Sequence, residues 1–379
     1  MDWSLHRDDD PIWTLYPLYN PHLASELHDI FDRLFERNGH VLGDPMRLLT
    51  WILSLQQTIA APPQLLRLRF ALARILMAID QYTMAIERID ESFELAETLN
   101  DSSGMIELVS MRAVAHTALL KFSEAEQDYR DLRTLLHEHL VMTPEVASYE
   151  LRMLVQLVNV LFFQSKVEDA LRFIFLAGGL LAHIPGHTVE AVSLNYTKAL
   201  IARWRGKPEE AMPLILTAAA YFRETPSLAT AARVELAAVD VLQDLAGSLM
   251  STGIDGMYFT AMAADHMRLA SALSKEANDS GATGLSILAR ARHERLLGLH
   301  TSHVSSIEQV IRHAQRNHDI ALLVQALTAL GDEFAARHEE DSSLAMYRQT
   351  LAELQDSDLS ALGVWARRAL HFHNEWSNN

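Results

Sequence analysis

The sequence predicts an all-α fold, a solenoid of antiparallel helix hairpins stacked one on the next. Three observations carry that expectation. Apolar residues recur at helical spacing in segment after segment, and none sustains the two-residue alternation of a strand. The 15 Gly and 11 Pro fall mostly at segment ends, which suits long helices joined by short turns. Residues 153–221 read twice in the same order. Leu157-Val158 and Leu161 lead through a polar turn and the acidic Glu168-Asp169 to Ala170, Ile174 and Ala177. Ala199 and Ala202 then lead through Gly206 and Glu209-Glu210 to Ala211, Ile215 and Ala218.

From the N-terminus, residues 1–20 form an aromatic arm with Trp13, Tyr16 and Tyr19, expected to pack on the first helices or to dock another chain. Pro21 opens a helix striped by Leu23, Leu27, Ile30 and Leu34 and ended by Asn38-Gly39. Asp44 and Pro45 open a second, which runs to Pro62-Pro63. Hairpins follow from Gln64 to Leu99, turning at Asp80-Gln81-Tyr82, and from Ser103 to Leu140, turning at Lys121-Phe122-Ser123. The third and fourth are the doubled stretch, separated by Pro185-Gly186. The fifth has a long first helix to Leu249, a loop at Gly253 and Gly256, and a helix to Ala277. Gly281 and Gly284 read as the next break, before a sixth hairpin from Leu285 to Asn317 and a seventh from Ile320 to Leu354. A last helix, Ser360 to Trp376, places Arg367, Arg368, Asn374 and Glu375 on one side and suits a capping helix over the open end of the stack. The expected division is an N-terminal aromatic arm and helical cap at 1–62, repeats at 63–250, and further repeats with the capping helix at 251–379. The segment from Gly247 to Gly256 is the expected hinge.

The spacing is regular. Ala85, Ala125, Ala170 and Ala211 open four successive second helices, and twelve residues before them lie Ala73, Ala113, Val158 and Ala199. A small residue there lets the two helices of a hairpin approach closely. The pattern resembles the tetratricopeptide repeat (TPR) superfamily over residues 64–223 and more loosely over 285–354. It departs from that family in three ways. The repeats exceed the usual length of about 34 residues, the large aromatic of the first helix is mostly replaced, and Gly takes the small-residue site only at Gly331. The long Leu/Ala-rich repeats are similar to the sensor regions of maltose-regulator-type bacterial activators, although no segment reads as the helix-turn-helix or nucleotide-binding module of such regulators. The resemblance implies a right-handed solenoid whose first helices line a concave surface.

Composition narrows the chemistry. With 32 Lys and Arg against 49 Asp and Glu the net charge is −17, which argues against direct binding of nucleic acid or an anionic membrane. No uninterrupted apolar run approaches the roughly 20 residues of a membrane helix. The start of the chain lacks the basic and apolar regions of a signal peptide. The expected location is the cytoplasm, or the nucleus in a eukaryote. There is no cysteine, hence no disulfide, thiolate nucleophile or Cys-ligated zinc. There is no phosphate-binding glycine loop and no Gly-x-Ser-x-Gly elbow, so no catalytic residue and no cofactor is expected. His137 with His139, and His371 with His373, are two apart and leave a helix on different sides. His300, His303 and His313 could share one side, but solvent or helix caps account for such histidines and no metal site is expected. Glu209-Glu210 and Glu339-Glu340 fall in first helical turns, where carboxylates complement the helix dipole.

The resemblance implies which first-helix positions face inward. Arg67, Arg74, Arg152, Asn159, Tyr196 and Arg203 are among them and form the candidate peptide-binding groove. Guanidinium forks bind carboxylates bidentately, and an Asn amide can bridge to a peptide backbone. Against this stands pairing of each Arg with Glu or Asp of the adjacent repeat. The expected function is a non-enzymatic interaction scaffold that binds a peptide or helix of another protein, acidic or with a free C-terminus. The alternative is a regulatory sensor whose superhelix responds to a small ligand or signalling peptide. Self-association through the N-terminal arm or the C-terminal helix is a further expectation.

Overall fold

The computed structural model describes residues 62–79, 81–184, 186–355, 359–364, 366–367 and 369–370. The aromatic arm, the first two expected helices and the end of the capping helix lie outside the described residues. So does any self-association through them.

The described chain is helical, with no strand among its residues. Its helices are α1 (Pro62–Ala78), α2 (Tyr82–Thr98), α3 (Ser102–Ala118), α4 (Phe122–His139), α5 (Pro144–Phe163), α6 (Val167–Leu181), α7 (Thr188–Trp204), α8 (Pro208–Arg223), α9 (Leu228–Ser251), α10 (Met257–Glu276), α11 (Ser280–Leu296), α12 (His300–Asn317), α13 (Ile320–Ala336) and α14 (Glu340–Glu353). The chain packs as two compact units, one ending at Met153 and one beginning at Leu154, so the boundary falls inside α5. In the first unit α1 packs on α2, α2 on α3 and α3 on α4, around Leu66, Leu72, Ile75, Ile89 and Leu108. In the second unit each helix from α7 onward packs on the next, through to α14.

The hairpin turns share one backbone solution. Near the end of each first helix an amide bonds back five residues: Lys121 to His116 at 2.9 Å, Lys166 to Leu161 at 2.9 Å, Lys207 to Ala202 at 3.0 Å, Leu299 to Glu294 at 2.8 Å and Glu339 to Phe334 at 2.9 Å. The residue before that amide is left-handed: Leu120, Ser165, Gly206, Gly298 or His338. This is a Schellman turn, which satisfies last-turn carbonyls and reverses the chain in three residues. Asp101, Asp279 and Asp319 start α3, α11 and α13 by accepting from Gly104, Ala282 and Leu322 amides at 2.9 Å.

The small-residue register is observed as expected. Ala73, Ala85, Ala113 and Ala125 in the first unit, and Val158, Ala170, Ala199 and Ala211 in the second, are all 0% exposed. The same twelve-residue spacing continues as Ala291 with His303 and Gly331 with Ser343, all four buried. At Gly331 a Cβ would stand 2.7 Å from the Tyr347 ring, so glycine admits that ring.

Two expectations are corrected. Gly281 and Gly284 do not form a break: α11 already starts at Ser280. Gly284 lies where helices press together, since a Cβ there would fall 2.3 Å from Leu322 Cδ2. The last helix does not begin as an α-helix, because Ser360–Gly363 is a 3-10 turn. Within the expected hinge, Gly247 is inside α9, and Gly256 folds so close that a Cβ would lie 2.6 Å from the Ala246 carbonyl oxygen. Among the described residues α5 alone is long and apolar enough to cross a membrane, yet 61% of that window is buried within the protein.

Replacing Ala113 with Leu should lower stability by about 1–3 kcal/mol through overpacking. The exposed Ala220→Leu control should stay within about 0.5 kcal/mol. Urea unfolding midpoints of the two variants check both.

Candidate functional site

The sequence-predicted residues divide between the two units. In the first unit Arg74 reaches from α1 to Glu107 on α3 at 2.6 Å, joining inward positions of consecutive first helices. The Arg67 side chain lies outside the described residues. Arg152 on α5 is half-buried and meets no carboxylate among the described residues.

In the second unit the predicted residues become one polar ladder. Thr197 Oγ1 on α7 donates to Asn159 Oδ1 on α5 at 2.6 Å. Tyr196 lies beside it, half-buried, and desolvation pushes its phenol up to about 12. About two turns further along α7, Arg203 donates to Asp240 at 2.9 Å and to Asp244 at 2.6 Å, both on α9. Asp240 also accepts from Arg292 of α11 at 2.7 Å. Four first helices are thus linked in sequence: Thr197 is fully buried, while Asn159, Arg203, Asp240, Asp244 and Arg292 remain partly open to solvent. Burial would raise the Asp240 carboxyl, but Arg203 and Arg292 hold it below its ordinary value of 3.8. Burial would lower the Arg203 guanidinium, and the two aspartates raise it instead.

Asp240, Asp244 and Arg292 complete this ladder. The resemblance extends the inward positions to Arg292 of the sixth hairpin, whereas it gave no sign of the two aspartates. Their signal was spacing, since they lie 37 and 41 residues beyond Arg203, one repeat length on. The competing reading, Arg paired with an acid of the next repeat, therefore describes Arg74 and Arg203 as they stand.

A second class of carboxylate is buried between helices and answered by Arg and His together. Asp128 meets Arg112 and His116, and Glu150 meets Arg133 and His137. Glu235 is fully buried against Arg223 and His266, which hold its carboxyl below the usual range against desolvation. Glu333 faces Arg295, Arg337, His300 and His303. His303 is 1% exposed and its Nδ1 lies 2.6 Å from the Ala291 carbonyl, so the ring is pinned to the hairpin crossing. His313 instead lies 3.0 Å from the Ser280 carbonyl. No group of three or more His, Cys, Asp or Glu among the described residues is placed to hold a metal.

Asp240→Asn should destabilise the protein by about 1–3 kcal/mol at pH 7, because two guanidinium groups lose their shared charge partner. The folded carboxyl titrates below its unfolded value. Its contribution is therefore complete above roughly pH 4 and is lost as pH falls through the folded value. Thermal melts of wild type and variant should differ at pH 7 and converge as pH falls through the folded carboxyl's lowered value.

No protein-family model matches the chain, and no curated protein matches it by sequence. Solved structures do match by fold. The apo quorum sensor NprR from B. thuringiensis superposes with a TM-score of 0.62 at 12% identity, covering 92% of this chain and 99% of that one. Aspartyl phosphate phosphatase F from Bacillus subtilis gives 0.61 at 14% identity, over 93% and 86%. The Rap conjugation gene regulator of plasmid pLS20, in complex with the Phr* peptide, gives 0.60 at 11% identity, over 91% and 95%. The chain has the TPR-like helical-repeat fold that these proteins share.

Proposed function

We propose that this protein is a non-enzymatic regulator that binds a peptide, either a signalling peptide or a segment of a partner protein, and acts in the cytoplasm. In the second unit the guest lies along the ladder at Asn159, Tyr196 and Arg203. In the first unit Arg74 and Arg152, with Arg67, offer a site of the same kind. The carrying observation is the ladder itself: half-open polar side chains on successive first helices, with their geometry already fixed by one another. Two of the similar structures lend support, one named a quorum sensor and one described with a bound peptide.

The chemistry divides between the units. Thr197 engages Asn159 at Oδ1 and no described residue accepts from its Nδ2, so both Nδ2–H donors are open to a guest backbone carbonyl. The neutral Tyr196 phenol can donate or accept. Arg203 and Arg292 are balanced by Asp240 and Asp244, so this part selects backbone more than charge. Arg152 has no such balance among the described residues, and the acidic or C-terminal character of the guest rests on it. One similar structure is named a phosphatase. The non-enzymatic reading is supported by the direction of the shifted acids: Glu235, Asp240 and Asp279 are held low by facing Arg or His, opposite to a general acid.

The test is capture of peptides from fractionated host cytosol and medium on the immobilised protein, sequencing of the bound species, and titration calorimetry with the synthetic peptide. Asn159→Ala and Tyr196→Phe should each weaken binding about tenfold, roughly 1.4 kcal/mol, with the helical circular-dichroism signal unchanged. Unchanged affinity in both would remove the ladder as the site.

A further inference from the structure

The second unit has another open face, away from the ladder. On α6 nothing from Phe173 to Leu181 is charged, and on α8 nothing from Ala211 to Phe222 is charged. Second helices elsewhere expose charge to solvent, as Glu87, Asp90, Glu91 and Glu94 do on α2 and Glu308, Arg312 and Arg316 on α12. Val167, Ala170, Ile174 and Ala177 of α6 are buried, but the strip through Phe175, Gly178 and Gly179 is exposed. Phe175 is 86% exposed, the most exposed of the large apolar side chains among the described residues. Beside it runs an open groove of about 510 Å3, lined by Leu171, Ile174, Phe175, Gly178 and Gly179 of α6 and Lys198 of α7. A concave patch that is apolar except for Lys198, on a chain of net charge −17, marks a contact surface.

We infer that this groove is a docking site for one amphipathic helix of a partner protein, carrying apolar anchors at i, i+3 or i+4 and i+7 and a carboxylate that reaches Lys198. The shape selects a helix. Positions 171, 174, 175, 178 and 179 form one stripe spanning about 12 Å, roughly two helical turns. At Gly178 and Gly179 no atom lies within 4 Å of where a Cβ would stand. The α6 backbone is bare there, so a guest helix can settle at the short end of the roughly 8–10 Å interaxial range. Phe175 rises beside that notch as the anchor.

The charge selects an acidic residue. Lys198 is half-buried at the groove and has no carboxylate partner among the described residues, although the chain carries 49 acidic side chains. Its complement is left for the guest. Lys198 stands two residues from Tyr196 and five from Arg203, about 160° and 140° around α7. The groove is thus separate from the peptide ladder.

The experiment pans a displayed library of 16-residue helical peptides, randomised at apolar and charged positions, against the full chain, with counter-selection on Phe175→Asp. Because Phe175 is solvent-exposed, that variant should keep its circular-dichroism spectrum and melting point. Enriched peptides should carry the i, i+3 or i+4, i+7 apolar pattern and one Asp or Glu. They should lose at least tenfold in affinity on Phe175→Asp and on Lys198→Glu. Changing the peptide acid to Lys should restore binding to Lys198→Glu, and Asn159→Ala should leave binding unaltered. Three results would overturn the inference: no enrichment over the counter-selection, enriched peptides indifferent to Lys198→Glu, or a wild-type dimer in light scattering that Phe175→Asp converts to monomer, which would make a second copy the occupant.

Discussion

The close crossing of the two helices in each hairpin governs the placement of everything else. Two small side chains twelve residues apart are both shut off from solvent, as Ala113 and Ala125 are in one hairpin and Ala199 and Ala211 in another. Once that crossing is fixed, each remaining face of the first helix has a set direction: toward its own partner, toward the next repeat, or outward. The exceptions obey the same rule. Where the second-helix residue enlarges to His303, the imidazole bonds the Ala291 carbonyl and still fits at the crossing. Where Tyr347 leans inward, the first helix answers with Gly331.

Polar groups then sort by depth. Asp128, Glu150, Glu235 and Glu333 are sunk between helices, and each meets Arg and His together. A buried carboxylate left without such partners would be strongly destabilising, so these pairs lock neighbouring helices in register. The ladder from Asn159 to Arg292 is shallower. Asp244 keeps 45% of its side chain in solvent. A guest can compete for or add to these bonds without first dismantling the core. That difference in depth separates groups that hold the repeats together from groups available for recognition.

Much of the fold was legible because the Ala register repeats while hairpin lengths vary, and the Schellman reversals carry Gly, Ser or His at the left-handed position except where Leu120 takes it. The error at Gly281 and Gly284 has a physical cause. Glycine was read as a turn residue, whereas Asp279 caps the helix around Gly281 and Gly284 serves close packing against Leu322. The site was legible in part. Arg74 and Arg203 were assigned to inner faces through the resemblance to the repeat superfamily. Asp240 and Asp244 escaped because α9 spans 24 residues and breaks the phase of the shorter repeats. The groove on α6 left almost no trace, since an apolar helix face looks the same in sequence whether it is covered or bare.

Hydrogen–deuterium exchange with and without the captured peptide tests the peptide-binding reading most directly. Slowed exchange is expected in α7, α9 and the end of α5, around Asn159, Tyr196, Arg203 and Asp240, with α8 and α10 unchanged. Slowed exchange confined to second helices, or uniform across the chain with no maximum on the first helices, would contradict it.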